Sequence, residues 1–207
     1  MKKLPLLLLF AGMSVLSSCK KKGCTDINAS NYSAEAEKDD KSCQYDFYLR
    51  SDAIDENGEL MADYKCEDKV NGIEASIPLK WGNVPDGTGS MAIIMQHFPN
   101  PNDQSQANSY LLLWDISPSV TEMPHGTADD GPWFMGSNKD GDYISYTSPC
   151  SPDPGTHAYE IILYALSETP ASLPAQSDIS VDWQTLKDAI ATVTVIDTAV
   201  LEFNDVN

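Results

Sequence analysis

The sequence predicts a mainly β domain, built on a sheet covered on both sides, with a single helix late in the chain. Three observations carry this reading. Ser90 to Gln96 and Ser109 to Ile116 are continuous apolar runs of strand length, the pattern of strands buried on two faces. Ser148 to Tyr159 crowd Pro and Gly into a stiff loop, after which Glu160 to Leu166 form another buried strand rich in β-branched and aromatic residues. Near the C-terminus, Val181, Leu186, Ala189 and Ile190 make one apolar stripe at helical spacing, with Asp178-Ile179-Ser180 as its start and Ser180 as its cap.

The 207 residues hold one domain plus an N-terminal appendage, and an apolar content of 42% is enough for a core. Acidic residues outnumber basic ones by 31 to 13. Such a body repels nucleic acid, which is excluded as a partner, and anionic membrane surfaces. Solubility is the simplest use of the acidity.

The chain opens with Met1-Lys2-Lys3 and an apolar run from Leu4 to Leu16 that is too short to span a bilayer. Residues 1–18 read as a signal peptide. Its removal takes the formal charge from −18 to −20, because Lys2 and Lys3 leave with it. Leu16-Ser17-Ser18-Cys19 resembles a bacterial lipobox, and the resemblance implies cleavage before Cys19 and acylation of its thiol. Residues 19–23 would then be a lipidated tether, with Lys20, Lys21 and Lys22 beside the anionic head groups. The Ser-Cys-Lys-Lys-Lys start is similar to lipoproteins of the Bacteroidetes type. The expected location is therefore the bacterial cell envelope, at the outer membrane. No acidic run follows Cys19, which favours the periplasmic face over surface display.

Residues 24–45 have almost no apolar content and cannot hold together by burial. They resemble a Cys-Thr-Asp-Pro-x-Ala-x-Asn-Tyr…Asp-Asp-Gly-Ser-Cys module of secreted proteins, with Ile27 in place of Pro and Lys41 in place of Gly. In an oxidising compartment Cys24 and Cys43 should pair, contributing about 3 kcal/mol in the chain-entropy picture. Asp26, Asn28, Ser30 and Glu37 fall at positions 1, 3, 5 and 12 of an EF-hand count. Asn31 stands where that loop needs Gly, so a solvated knob is favoured over a calcium site.

Residues 46–205 form the main domain. Phe47 to Ser51 read as a first strand, Ile54 to Leu60 as a turn with its flanks, and Val193 to Phe203 as the last strand. Ser76-Ile77-Pro78-Leu79-Lys80-Trp81 and Val84-Pro85-Asp86-Gly87-Thr88 are similar to Ser-Pro-Pro-Leu-x-Trp and Val-Pro-x-Gly-Thr, motifs of the phosphatidylethanolamine-binding protein family. Tyr64-Lys65-Cys66 resembles the family's Tyr-Thr-Cys. Ser148-Pro149-Cys150-Ser151-Pro152 followed by His157, Tyr159 and Tyr164-Ala165-Leu166 resembles the Gly-Pro-Cys-Pro-Pro, His-Arg-Tyr and Tyr-Ala-Leu of its bacterial Raf-kinase-inhibitor-like branch. The resemblance spans about Phe47 to Phe203. It implies a large central sheet, a smaller flanking sheet and few helices, with the helix near 180–190. It also implies a second disulfide, Cys66–Cys150, joining the two family cysteines.

The family binds anionic head groups in a cavity at one end of the sheet. Its Asp-Pro-Asp-x-Pro motif reads His97-Phe98-Pro99-Asn100-Pro101 here, so His97 replaces the first carboxylate. Tyr110 stands at the place of a histidine heading the next strand, and Ala158 replaces the Arg between His157 and Tyr159. The resemblance thus assigns His97, Tyr110, His157 and Tyr159 to a site for a small anionic or polar ligand, with imidazole and phenol groups instead of a carboxylate. Anion binding should then strengthen as pH falls and imidazoles gain charge. His97 and His157 lack a third ligand for a metal, and no cofactor is called for. Without a Gly-x-Ser-x-Gly elbow or a paired-carboxylate site, a binding module is favoured over an enzyme. The runner-up is a closed pocket in a structural or protein-interaction module, with the protein partner unidentified.

Overall fold

The structure, a computed structural model, describes residues 20–139, 141 and 143–207. The signal peptide at 1–18 and the acylation of Cys19 lie outside the described residues. The chain divides into two compact units between Asp46 and Phe47.

In the first unit, two short strands, β1 (Lys22–Gly23) and β2 (Lys38–Asp39), pair in parallel. Cys24 and Cys43 are joined by a disulfide with an S–S distance of 2.05 Å. Polar contacts do the rest, as the composition requires. The Asn31 carboxamide donates to the Ser42 carbonyl at 2.6 Å and accepts from the Gln44 amide at 2.8 Å. Asp26 accepts from the Asn28 backbone at 2.9 Å and from the Tyr45 hydroxyl at 2.6 Å. Both carboxylate oxygens are thereby taken, and Asn28 turns its amide donor toward Asp26 rather than offering an acceptor to a cation.

The second unit holds β3 (Tyr48–Arg50), β4 (Leu79–Gly82), β5 (Ser90–His97), β6 (Asn108–Ile116), β7 (Glu122–Met123), β8 (Phe134–Met135), β9 (Thr156–Leu166), α1 (Trp183–Ile190) and β10 (Val195–Val206). Five strands make one antiparallel sheet in the order β10-β9-β5-β6-β8, and three make a smaller sheet in the order β3-β4-β7. The expected large sheet, smaller flanking sheet and single late helix are all present.

Alternation along the central strands explains their continuous apolar character. Met91, Ile93, Met95, Leu113, Ile161 and Leu163 pack in one core with Leu49, Leu79, Trp81 and Met123 of the smaller sheet. Ala92, Ile94, Leu112, Trp114 and Leu166 pack in another with Trp183, Leu186, Ala189 and Ile190 of α1. Each central strand therefore needs apolar residues at both parities.

Three boundaries differ from the sequence reading. The helix begins at Trp183, and its cap is Asp182, whose side chain accepts from the Thr185 amide at 2.8 Å. Ser180 instead uses its own amide and hydroxyl on Asp178, at 2.8 and 2.7 Å, in a turn before the helix. Of two oxygen-bearing candidates, the one next to the helical stretch won. The last strand runs to Val206, because its ladder with β9 continues through Asn204, Asp205 and Val206 despite the weak strand propensity of Asn and Asp. The same ladder draws Thr156 to Tyr159 into β9, so His157 and Tyr159 stand on a strand rather than in a loop.

Cys66 and Cys150 are bonded, with an S–S distance of 2.08 Å. Beside this bridge, Ser148 offers its amide and hydroxyl to the buried Glu74 carboxylate at 2.5 and 2.8 Å, while its hydroxyl accepts from the Glu67 amide at 2.9 Å. The segment carrying Cys66 and the loop carrying Cys150 are thus joined covalently and by hydrogen bonds.

Candidate functional site

Three neighbouring antiparallel strands set the geometry. His97 ends β5, its partner on β9 is Tyr159, and the partner of Tyr159 on β10 is Phe203. Directly opposed residues share a face, so the three rings line up across the sheet. His97 stacks on Tyr159 with centroids 4.9 Å apart and planes 27° apart, and Tyr159 stacks on Phe203 at 5.3 Å and 12°. Two residues back along β9, His157 returns to the same face and meets His97 edge-on at 5.9 Å.

Tyr110 enters from β6 through a bulge. The ladder passes from Gln96 opposite Ser109 to Met95 opposite Leu111, leaving Tyr110 as the extra residue. Tyr110 and Leu111 consequently pack on the same side. The Tyr110 ring meets the edge of Tyr159 at 5.1 Å, with a long contact of 3.5 Å between the two hydroxyls. The structure thus brings His97, His157 and Tyr159 together directly, and Tyr110 by way of Tyr159.

Each imidazole has one nitrogen engaged. His97 Nδ1 lies 2.8 Å from the Ala158 carbonyl, and His157 Nε2 lies 3.1 Å from the Asp153 carbonyl and 2.9 Å from the Ser151 hydroxyl. A carbonyl only accepts, so both engaged nitrogens carry hydrogen. Tyr110 and Tyr159 are 5% and 4% exposed, whereas both histidines are half-buried. Burial pushes the Tyr159 hydroxyl far above its ordinary range, and the Tyr110 hydroxyl and the charge of Asp205 add to that. The imidazoles are thus the accessible part of this end, above the buried rings of Tyr110 and Tyr159.

The family resemblance did not reach two neighbours of these residues. Asp205 on β10 is the cross-strand partner of His157 and is only 1% exposed. The Lys65 ammonium pairs with it at 2.8 Å and donates to the Val206 carbonyl at 2.8 Å. Asp205 lies in a stretch that reads as the ragged end of the last strand. Only the register with β9, which composition does not reveal, puts it beside His157.

At the same end, the opposite face of the sheet carries a different row, Gln96, Glu160 and Glu202, again register partners on β5, β9 and β10. The Trp183 indole donates to the Gln96 carbonyl oxygen, and the Gln96 amide donates to Glu160. An open cavity of about 480 Å³ lies here, lined by this row and by Phe98 and Pro101, with Tyr159 and Phe203 also contributing to its lining. His97 and His157 point away from it, to the other face. Among the described residues no three His, Cys, Asp or Glu side chains are grouped to hold a metal ion.

The family model described as phosphatidylethanolamine-binding protein matches residues 50–204. A solved structure of a phosphatidylethanolamine-binding protein homologue from Chlamydia trachomatis is 23% identical, with a TM-score of 0.62 over 78% of this chain and 97% of that one. The structure of E. coli YbcL, described as a new member of the mammalian family, is 21% identical, with a TM-score of 0.63 over 78% of this chain and 98% of that one. At these identities the two structures show the fold alone. No curated protein matches the chain.

Proposed function

The chain belongs to the phosphatidylethanolamine-binding protein family, and on that premise we propose that it is a ligand-binding protein of the bacterial envelope whose divergent site takes a small anion of the phosphate type. The observation that carries this reading is the meeting of His97 and His157 at 5.9 Å, each with one ring nitrogen engaged by a backbone carbonyl. At position 97 an imidazole replaces the family carboxylate, and once protonated an imidazole attracts an anion. Acylated Cys19 would hold the protein at the outer membrane, facing the periplasm, in keeping with the lipobox-like Leu16 to Cys19.

Two tests address the two halves of this reading. Inorganic phosphate and a soluble phosphomonoester are titrated calorimetrically at two pH values, with His157→Ala as control. Binding that tightens at the lower pH and weakens in His157→Ala is expected. Binding indifferent to both would end the proposal. For the anchor, Cys19→Ala should leave the protein uncleaved and in the soluble fraction; its retention on membranes would require a different anchor.

One observation favours a second reading, in which the site is a closed structural or interaction module. The rings of Tyr110, Tyr159 and Phe203 are buried and pack into the space beneath the imidazoles. An enzyme is disfavoured on two counts. Cys150 is in a disulfide and offers no thiol. Ser151 meets His157, but through the nitrogen whose hydrogen faces the Asp153 carbonyl, so that nitrogen is not free to take the hydroxyl proton.

A further inference from the structure

Resting on the anion-site reading above, we propose that Lys65 is the permanent cation of that site, held ready for a phosphate oxyanion by Asp205 and by the Cys66–Cys150 bridge. The starting point is a cost. Withdrawing a lysine and an aspartate from water is expensive, and an apolar pair of similar volume commonly serves stability as well or better. Yet Asp205 is 1% exposed and the Lys65 side chain 18% exposed, with their charges 2.8 Å apart. The pair also stands at one corner of the fold, beside the imidazoles.

Its placement follows from the ladder. Asp205 is directly opposite His157 on the neighbouring strand and shares its face, which puts their Cβ atoms about 5 Å apart. The ammonium paired with Asp205 therefore belongs to the same corner of the sheet as His157. Of its three hydrogens, one goes to the Val206 carbonyl. The contact with Asp205 Oδ1 is an ion pair, and that oxygen accepts no hydrogen bond among the described residues.

The lysine is also held in place. The next residue, Cys66, is bonded to Cys150, and its amide donates to the Pro149 carbonyl at 3.0 Å. Ser151, which touches His157, follows Cys150 directly. The segment bearing the ammonium and the loop bracing the imidazole are thus fastened at adjoining positions. A lysine fixed before the ligand arrives loses little rotamer freedom on binding. Position 65 carries Thr in the motif that Tyr64-Lys65-Cys66 resembles, so this cation belongs to the present chain.

The titratable groups of this corner are Asp205 on β10, His157 and Tyr159 on β9, His97 on β5, Tyr110 on β6, Asp153 in the loop bracing His157, and Tyr64 and Glu67 in the segment of Lys65 itself. At about pH 8 histidine side chains are ordinarily neutral and lysine charged. That pH is therefore where a contribution of Lys65 is sought separately from that of the imidazoles.

The test titrates the full-length chain with inorganic phosphate, and separately with glycerol phosphate as the soluble form of a lipid head group, at about pH 8 and about pH 5.5. Lys65→Met leaves Asp205 buried and alone, so the informative variant is Lys65→Met with Asp205→Leu, which removes both charges; Lys65→Arg keeps the cation. A charge-assisted hydrogen bond corresponds to a loss of about tenfold or more in affinity. The expected result is that loss at about pH 8 in the double variant, with an unchanged fold by circular dichroism and near-native binding in Lys65→Arg. Tighter binding of glycerol phosphate than of phosphate would identify the head group as the source; the reverse would identify the free ion. Wild-type affinity in the double variant would overturn the role of Lys65 and leave the imidazole site standing. Failure of the wild type to bind either anion at both pH values would overturn the site reading, and this inference with it.

Discussion

The two faces of the central sheet, compared at the end where β5, β9 and β10 run side by side, are built from residues one position apart. His97, Tyr159 and Phe203 form a stacked column on one face, and Gln96, Glu160 and Glu202 form a polar row on the other. The first is closed by ring packing, with the half-buried imidazoles left at its edge. The second lines an open cavity of about 480 Å³ and is tied to α1 by the Trp183 indole. Period-two alternation separates a packed aromatic layer from a wet carboxylate one across a single peptide unit. The difference sets the two faces apart in chemistry. Imidazoles stand at the edge of one, and Glu160 and Glu202 place two carboxylates side by side on the other.

The largest expected effect tests whether the first face owes its closure to packing. Phe203→Ala removes the ring beneath Tyr159 and should cost about 4 kcal/mol in equilibrium urea unfolding. A cost under about 1 kcal/mol would mean that the column collapses without a cavity and the comparison fails.

On the other face the corresponding link is a hydrogen bond. Trp183→Phe leaves the buried Gln96 carbonyl oxygen without its donor and should cost about 2 kcal/mol. In a Gln96→Leu background the same substitution should cost much less. Equal costs in both backgrounds would show that the indole contributes bulk alone.

Acid separates the two layers with opposite signs. Asp129, in the turn whose Ala128 belongs to the core shared with the smaller sheet, has its carboxyl pushed up to about 6 by burial and by the charge of Asp130. A raised folded-state value means that its contribution to stability is complete below about pH 4 and is lost as pH rises through about 6. Asp129→Asn should therefore flatten the stability profile across that window. At neutral pH it should stabilise by about 1 kcal/mol, discounted because half of the group remains in water. Asp182, capping α1 on the other side, is held below its ordinary value by hydrogen bonds from Thr185. Its contribution is present above the unfolded carboxylate value and is lost as pH falls through the lower folded one. Asp182→Ala should cost about 1 kcal/mol at neutral pH and less in acid. Thermal melts of both variants at several pH values would show whether the signs are opposed.

The smallest effect concerns Glu202, directly opposite Glu160. Like charges in that position destabilise a ladder, so Glu202→Gln should raise the melting temperature slightly in low salt and hardly at all in high salt. A decrease would mean that the pair is not in repulsion.

Much of the fold was legible because burial leaves its pattern in the chain. The apolar runs of β5 and β6 announce strands covered on both sides, and the motif around Trp81 announces the family. Both cysteine pairings follow from the modules that the cysteines resemble. The motifs also named His97, His157, Tyr110 and Tyr159, whose rings meet at one end of the sheet. Four features were not legible. Tyr110 reaches the site through a bulge, and a bulge is a property of two strands rather than one. His157 stands on a strand only because β10 extends far enough to pair with it. Asp182 caps the helix in competition with Ser180, and the chain offers an oxygen at both places. Asp205 carries no motif at all.

The sequence by itself determined what is apolar, what is covalently joined and what chemistry each side chain carries, because hydrophobic periodicity, cysteine partners and side-chain chemistry are local properties. Only the tertiary structure decided which of those groups meet. Register sets whether Asp205 faces His157 or solvent, and a shift of one residue in β10 would exchange Asp205 for Asn204 or Val206 and send Phe203 to the other face. That register is held by the packing of Ala199 and Phe203 into the core and by the ladder to β9, both of which depend on residues distant in the chain.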